Sequence, residues 1–136
     1  MARLLRSVHT DEQGAAVIEF AIVLPLLVLL LFGIVEFSLV YNRQQALHAA
    51  AREGARVASV ETSTLTDIST TVDNALSGTA FGSSPNTSVT PNVTQPCLNR
   101  VGETVAVIVS ATTPLDIPLW NNINVALTGE ARFRCE

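Results

Sequence analysis

Lysine is absent from this chain: all eight basic residues are arginines, a compositional habit on which no functional reading rests. Basic charge is scarce as well. A formal net charge of −4 argues against a nucleic-acid partner, which calls for basic patches facing phosphate. Histidine occurs only at His9 and His48, both close to a long apolar run, and cysteine only at Cys97 and Cys135. Two cysteines with no histidine nearby do not make a zinc site, which wants four N or S ligands. No Ser-His-Asp set, metal cluster or phosphate loop is legible, so no catalytic activity, cofactor or small-molecule substrate is expected.

What the chain has in quantity is apolar residues, 48% of the whole, and most of the excess lies in one stretch. From Phe20 to Val35 it reads FAIVLPLLVLLLFGIV, without a charge or a strongly polar side chain. With its flanks (15–40) the run supplies about 20–25 residues, enough at about 1.5 Å each to cross a bilayer's hydrocarbon. Pro25 is tolerable there at the cost of a kink. A soluble core is a poor home for the run, because a chain this short cannot surround a helix apolar on every side. A cleaved signal peptide fits badly too. Its apolar stretch spans about 7–15 residues, whereas this one continues through Gly33-Ile34-Val35-Glu36-Phe37 into more helix. The roughly 75–95 residues left over suffice for a small core and a few strands, but are tight for a deep enzyme pocket.

Two glutamates bracket the run. A carboxylate at mid-depth in a bilayer costs on the order of 2.5 kcal/mol or more, which makes each a functional candidate. Glu36 lies at the outer end, where reaching into the headgroups explains it, and it stands about 100° around the helix from Glu19. Glu19 comes one turn into the apolar segment, four residues after Ala15. A chain cut after Gly14 would carry a new α-amine at Ala15 beside the positive end of the helix. The Glu19 carboxylate, in the same or a neighbouring subunit, would neutralise both.

Gly14-Ala15-Ala16-Val17-Ile18-Glu19-Phe20 matches the prepilin-peptidase recognition pattern of type IV-like pilins, a glycine followed after four residues by glutamate and an aromatic. The text beyond it resembles the TadE-like proteins of tight-adherence (Flp) pilus assembly. That resemblance is carried by Leu24-Pro25-Leu26-Leu27, the Gly33-Ile34-Val35-Glu36-Phe37 exit and Ala50-Ala51-Arg52-Glu53-Gly54-Ala55-Arg56, and covers about residues 13–59. A fainter likeness returns at Ala131-Arg132-Phe133-Arg134-Cys135-Glu136. The resemblance implies a minor pilin-like subunit (pseudopilin) with no catalytic activity and no cofactor. Its partners would be the membrane, the prepilin peptidase, other pilin-like subunits and the pilus assembly platform. It implies a cut between Gly14 and Ala15, an assembly role for Glu19 and Phe20, and residence in the inner membrane or a surface pilus. The N-terminus would then be cytoplasmic and the C-terminal domain outside. The sequence departs from the usual pattern in having Asp11 and Glu12 before the cut and Ala15 where many type IV pilins have phenylalanine. Arg3 and Arg6 before the span are outnumbered by Arg43, Arg52 and Arg56 after it, so basic charge alone does not set this orientation. The alternative reading is an unprocessed single-pass protein that carries a binding or adhesion domain.

Beyond the span, 41–60 is rich in alanine and reads as an extension of the same helix. Leu47, Ala50 or Ala51, Gly54 and Val57 form a narrow stripe of mostly small side chains, suited to packing on this chain's own sheet or on another subunit's helix. Thr66-Asp67 offers a helix cap, and Leu65, Ile68, Val72 and Leu76 fit a short amphipathic helix that ends before Gly78. The Ser/Pro/Asn/Thr-rich stretch 81–96 reads as a loop or a poorly formed edge strand. Thr104 to Ser110 is the clearest strand, and Pro114 to Trp120 reads as a connection. Ile123–Leu127 and Glu130–Arg134 read as two further strands, or as one with a bulge at Gly129. Antiparallel pairing would bring Cys135 near the loop holding Cys97. A disulfide suits an oxidising compartment, two free thiols a reducing one. The expected fold is α+β: a leader at 1–14, a transmembrane helix at 15–40, its extension at 41–60, and a small extracytoplasmic domain at 61–136 with a short helix and an antiparallel sheet.

Overall fold

The computed structural model describes residues 11–81, 84–117 and 120–136, with side chains at 14–81, 84–115 and 123–136. One helix, α1, runs unbroken from Asp11 to Ala58. Its 48 residues extend about 72 Å at about 1.5 Å per residue. Pro25 lies inside it, tolerated because the helix continues on both sides of the one lost hydrogen bond. The expected leader falls largely on residues 1–10, outside those described. The helix already begins at Asp11, so Gly14 and Ala15 are helical in the uncut chain.

From Gly14 to Asn42 every α1 residue is exposed except Glu36 and Val40, which are half-buried. From Leu47 onward the helix has a buried face made of Leu47, Ala50, Ala51, Gly54, Ala55 and Ala58, at steps of one, three and four residues. The expected stripe is therefore present but broader and rotated. Ala55 and Ala58 complete it, while Val57 sits half-buried at its margin. The stripe packs on this chain's own sheet and on a second helix, α2 (Leu65–Ala75). Ile68 and Val72 of α2 are fully buried, each stabilising by about 1.5–3 kcal/mol. The cap of α2 is Thr64, two residues before the expected Thr66. The Thr64 hydroxyl accepts from Asp67 N at 3.3 Å and the Asp67 carboxylate accepts from Thr64 N at 2.9 Å. The acid at the third helical position closes this reciprocal box, which a cap at Thr66 could not do.

Three antiparallel strands follow, in the order β1 (Asn86–Thr90), β2 (Thr104–Ile117) and β3 (Trp120–Arg134). The poorly formed edge strand expected in 81–96 is β1, paired with Ala106–Ser110 of β2. The expected connection at Pro114 is instead strand: β2 continues through it, with Pro114 opposite Asn124. β1 ends its pairing at Ser110, so among the described residues β2 has only β3 as a ladder neighbour beyond that point. A proline there loses no bond to β1. β3 is one long strand, as one of the two readings had it. Gly129 sits in register opposite Val109, and the irregularity falls at Leu115/Ile117 instead of at the glycine.

Val105, Val107, Val109, Ala111 and Thr113 alternate inward along β2, and Leu127 and Gly129 lie on the same side of β3. Glycine is required at two places in this contact. A Cβ on Gly129 would stand 2.6 Å from His48 N and closer still to the Leu47 carbonyl, both of them α1 backbone. A Cβ on Gly54 would lie 2.7 Å from Val72 Cγ2 and 3.3 Å from Val107 Cγ1. Side chains can shift a little at Gly54, whereas the backbone at Gly129 cannot yield without separating helix from sheet.

Gly129→Ala should therefore destabilise the domain by about 3 kcal/mol or more, and Gly54→Ala by about 1–3 kcal/mol. Gly33→Ala, which meets open space, should be neutral to slightly stabilising. Urea unfolding of the full chain in detergent, followed by circular dichroism, ranks the three. Thr64→Ala should cost about 1 kcal/mol in the same assay. Hydrogen bonds from the Thr64 side chain and backbone hold the Asp67 carboxyl below the usual carboxylate range. That contribution is present above an unfolded pKa of about 3.9 and is lost as pH falls through the lower folded value. Hydrogen exchange in α2 should accordingly rise in acid relative to β2.

Candidate assembly site on the apolar helix

Gly14, Ala15, Glu19 and Phe20 follow one another over the first turns of α1, and all are exposed. Among the described residues, apart from its chain neighbours and the helix's own backbone, nothing lies within 4 Å of a Cβ built on Gly14. Among the described residues no side chain pairs with the Glu19 carboxylate, and Phe20 is 64% exposed. Four residues from Ala15 to Glu19 bring them onto one side of the helix about 6 Å apart along the axis. The α-amine of a chain starting at Ala15 would thus meet the carboxylate within reach of its own helix or of a neighbouring one. The arrangement can neutralise charge and set register, and it leaves the surrounding apolar surface free for lipid or for other helices.

The exit of the apolar segment is clamped to the domain. Phe37 and Tyr41, one turn apart, stack with ring centroids 6.4 Å apart, the kind of aromatic pair that favours a membrane–water boundary. The Arg43 guanidinium donates to the Thr113 hydroxyl, which is fully buried on β2. Gln44 Nε2 donates to the Thr128 carbonyl at 2.7 Å and lies 3.1 Å from His48 Nε2. Arg43, Gln44 and Thr113 had not stood out in the sequence. Their signal was a polar triplet, Asn42-Arg43-Gln44, directly after an apolar run, and only the strand register says what it meets. The contact of His48 with Gln44 is part of this clamp.

At the far end, Cys97 and Cys135 form a disulfide with Cα atoms 5.4 Å apart, closing a separation of 38 residues. Both are almost fully buried. Backbone bonds reinforce the closure: Gly102 N to Cys135 O at 2.9 Å, Cys135 N to Glu103 O at 2.8 Å, and Glu136 N to Ser59 O at 3.1 Å. The last donation ties the chain's end to the residue just after α1. On the surface of α1, Arg56 donates to Glu53 at 2.6 Å, and this hydrogen bond, with the arginine's charge, holds the Glu53 carboxyl below its ordinary range. Glu53 and Arg56 are both solvent-exposed, so the pair contributes little to stability. Among the described residues no group of three or more His, Cys, Asp or Glu could hold a metal ion.

Among the described residues one helix is long and apolar enough to cross a membrane and is wholly exposed over its most apolar window; with a small α+β domain behind it, the chain fits a single-pass, membrane-anchored class. Residues 14–56 match the family model described as TadE-like protein. The match begins at the candidate cleavage glycine and ends inside the buried face of α1. No curated protein and no solved structure matches the chain.

Removing the disulfide with Cys97→Ser and Cys135→Ser together should cost about 2–4 kcal/mol, the range for closing a loop of this length. Because the two sulfurs are bonded to each other, a thiol count should read zero even on the unfolded, unreduced protein, and because both are buried, reduction should become fast only under unfolding conditions.

Proposed function

We propose that the protein is a minor pilin-like (pseudopilin) subunit in the assembly of a tight-adherence pilus or its related secretion machine. The TadE-like match is the observation that carries this reading, because the family suggests involvement in that assembly and the match covers Gly14, Ala15, Glu19 and Phe20. In this reading the prepilin peptidase cuts after Gly14 on the cytoplasmic side, and the domain lies outside the inner membrane. The exposed apolar surface of α1 docks laterally with other pilin-like helices and with the assembly platform. Glu19 sets their register by pairing with an α-amine at Ala15, and Phe20 packs beside it. Burial between helices strengthens such a pair, since lipid cannot screen it as water does. The role is structural, with no catalysis, nucleic acid or small-molecule substrate.

Intact mass and N-terminal sequencing of the membrane-extracted protein should find Ala15 as the first residue. A start at Met1 would favour the unprocessed, membrane-anchored binding domain instead. Glu19→Gln should leave insertion into the membrane unchanged and reduce co-purification with the assembled pilus by roughly tenfold, equivalent to about 1.4 kcal/mol. Unchanged co-purification would remove Glu19 from the account.

A further inference from the structure

The two edges of the sheet are defended unequally. β3, the long edge, carries an ion pair between Glu130 and Arg132 at 2.6 Å, and its Arg134 donates to the Gly102 carbonyl. Gln44 of α1 also covers it, by donating to the Thr128 carbonyl. Charges and covering side chains of this kind keep an edge strand from pairing with another chain. β1, the opposite edge, has neither. It reads Asn-Thr-Ser-Val-Thr and pairs with β2 in continuous register, without a bulge. Among the described residues no hydrogen bond joins β1 to anything but β2. Alternate residues of an antiparallel edge strand turn their N–H and C=O groups outward, so β1 presents an open ladder about 17 Å long.

The ground beside this edge is equally bare of charge. Across residues 74–99 the chain has no Asp, Glu, Lys or Arg. A groove of about 460 Å³ lies between Leu65, Thr66 and Ser69 of α2 and residues 86–89 of β1, and none of the residues lining it is charged. Asp67, the acid nearest to it in sequence, is turned back onto Thr64. Half-buried Leu65 and buried Val89 give the groove an apolar patch. The side chains of Thr66, Asn86 and Thr87, also in its walls, make no hydrogen bond within the described residues. Open main-chain groups, free hydroxyls and an amide, and one apolar patch are the chemistry of strand addition. There the ladder supplies affinity and alternate side chains supply specificity.

We propose that β1 and the groove beside it receive an extended, uncharged segment of a different polypeptide, which joins the sheet as a fourth strand. The segment is uncharged because a charge entering the groove would lose its water and meet no counter-charge. That it belongs to a different chain rests on the reading of α1 as membrane-spanning. Val107 lies beside Gly54, Gly129 opposite Val109 meets Leu47 and His48, and Thr113 accepts from Arg43. β2 thus descends toward the span, and β1, antiparallel to it, rises away from the span as α1 does. Two copies in one membrane, related by a two-fold axis along its normal, would set their β1 strands parallel with identical residues level. A parallel ladder needs an offset of one residue, since each bonding residue reaches the groups before and after the one level with it. A two-fold pair cannot meet that condition, and the other edge of a second copy is the blunted β3.

Hydrogen exchange at single-amide resolution on the full chain in detergent tests this, with the peptide Thr-Val-Thr-Val-Thr as probe, acetylated and amidated so that it is uncharged. The β1 amides that face away from β2 should exchange fast in the free chain. They should slow at least fivefold at about four times the peptide's dissociation constant, with exchange in β3 unchanged. An analogue N-methylated at alternate residues keeps the side chains but loses the ladder, and should protect nothing. The Ser88→Lys chain should also lose the protection, because this exposed position then carries the charge that blunts other edges. No protection by the plain peptide at any concentration, or equal protection by the methylated one, would overturn strand addition. Outward amides that are slow in the free chain and become fast on dilution would overturn the different polypeptide in favour of a second copy. The readout does not depend on where the chain starts. A start at Met1 would therefore count against the processed subunit and leave this contact standing.

Discussion

Everything in this protein is organised by the distance at which the α1 backbone crosses β3. At Gly129 the strand comes so near the Leu47 carbonyl and His48 N that no side chain fits between them. The alanines at 50, 51, 55 and 58 and the glycine at 54 keep the rest of the crossing equally shallow. A shallow crossing buries little area per residue, so the domain adds α2 against the same stripe and a disulfide behind it. It also makes the helix rigid where it leaves the sheet. Arg43 and Gln44 fasten the last turn before the apolar segment, so the orientation of the span and of the domain are set together.

This arrangement divides α1 into two surfaces with different duties. The stripe from Leu47 to Ala58 is covered by the chain's own sheet and by α2, so it is not available to another subunit's helix. The lateral association proposed above would fall to the segment between Gly14 and Val40, where Glu19 and Phe20 sit and where the domain covers almost nothing. The TadE-like match spans both surfaces, ending at Arg56. The segment from Glu61 onward carries the loops, β1 and the open face of the sheet, and it has no counterpart in that match.

Much of this was legible because the relevant signals are local. An uncharged run from Phe20 to Val35 has the length and composition of a membrane helix, and Thr104–Ser110 alternates as a half-buried strand does. The motif around Gly14 and Glu19 is likewise contiguous. What escaped depends on tertiary neighbours. Pro114 reads as an end of strand until the short reach of β1 leaves β2 without a second neighbour there. Gly129 suggests a bulge until a helix backbone is found against it. Thr64 outcompetes Thr66 as the cap because only Thr64 has an acid three residues on to complete the box. The clamp by Arg43 and Gln44 could not be read at all, since its partners lie 70 and 84 residues away.

The central claim is that one continuous helix joins membrane to domain and fixes their relative position. Hydrogen–deuterium exchange on the full chain in vesicles addresses it directly at Tyr41–Ala46, the stretch between the apolar run and the buried stripe. The account predicts slow exchange there, continuous with that of Leu24–Val40 and Leu47–Ala58. Fast exchange confined to Tyr41–Ala46 would mean a hinge in place of a rigid helix, and would contradict it.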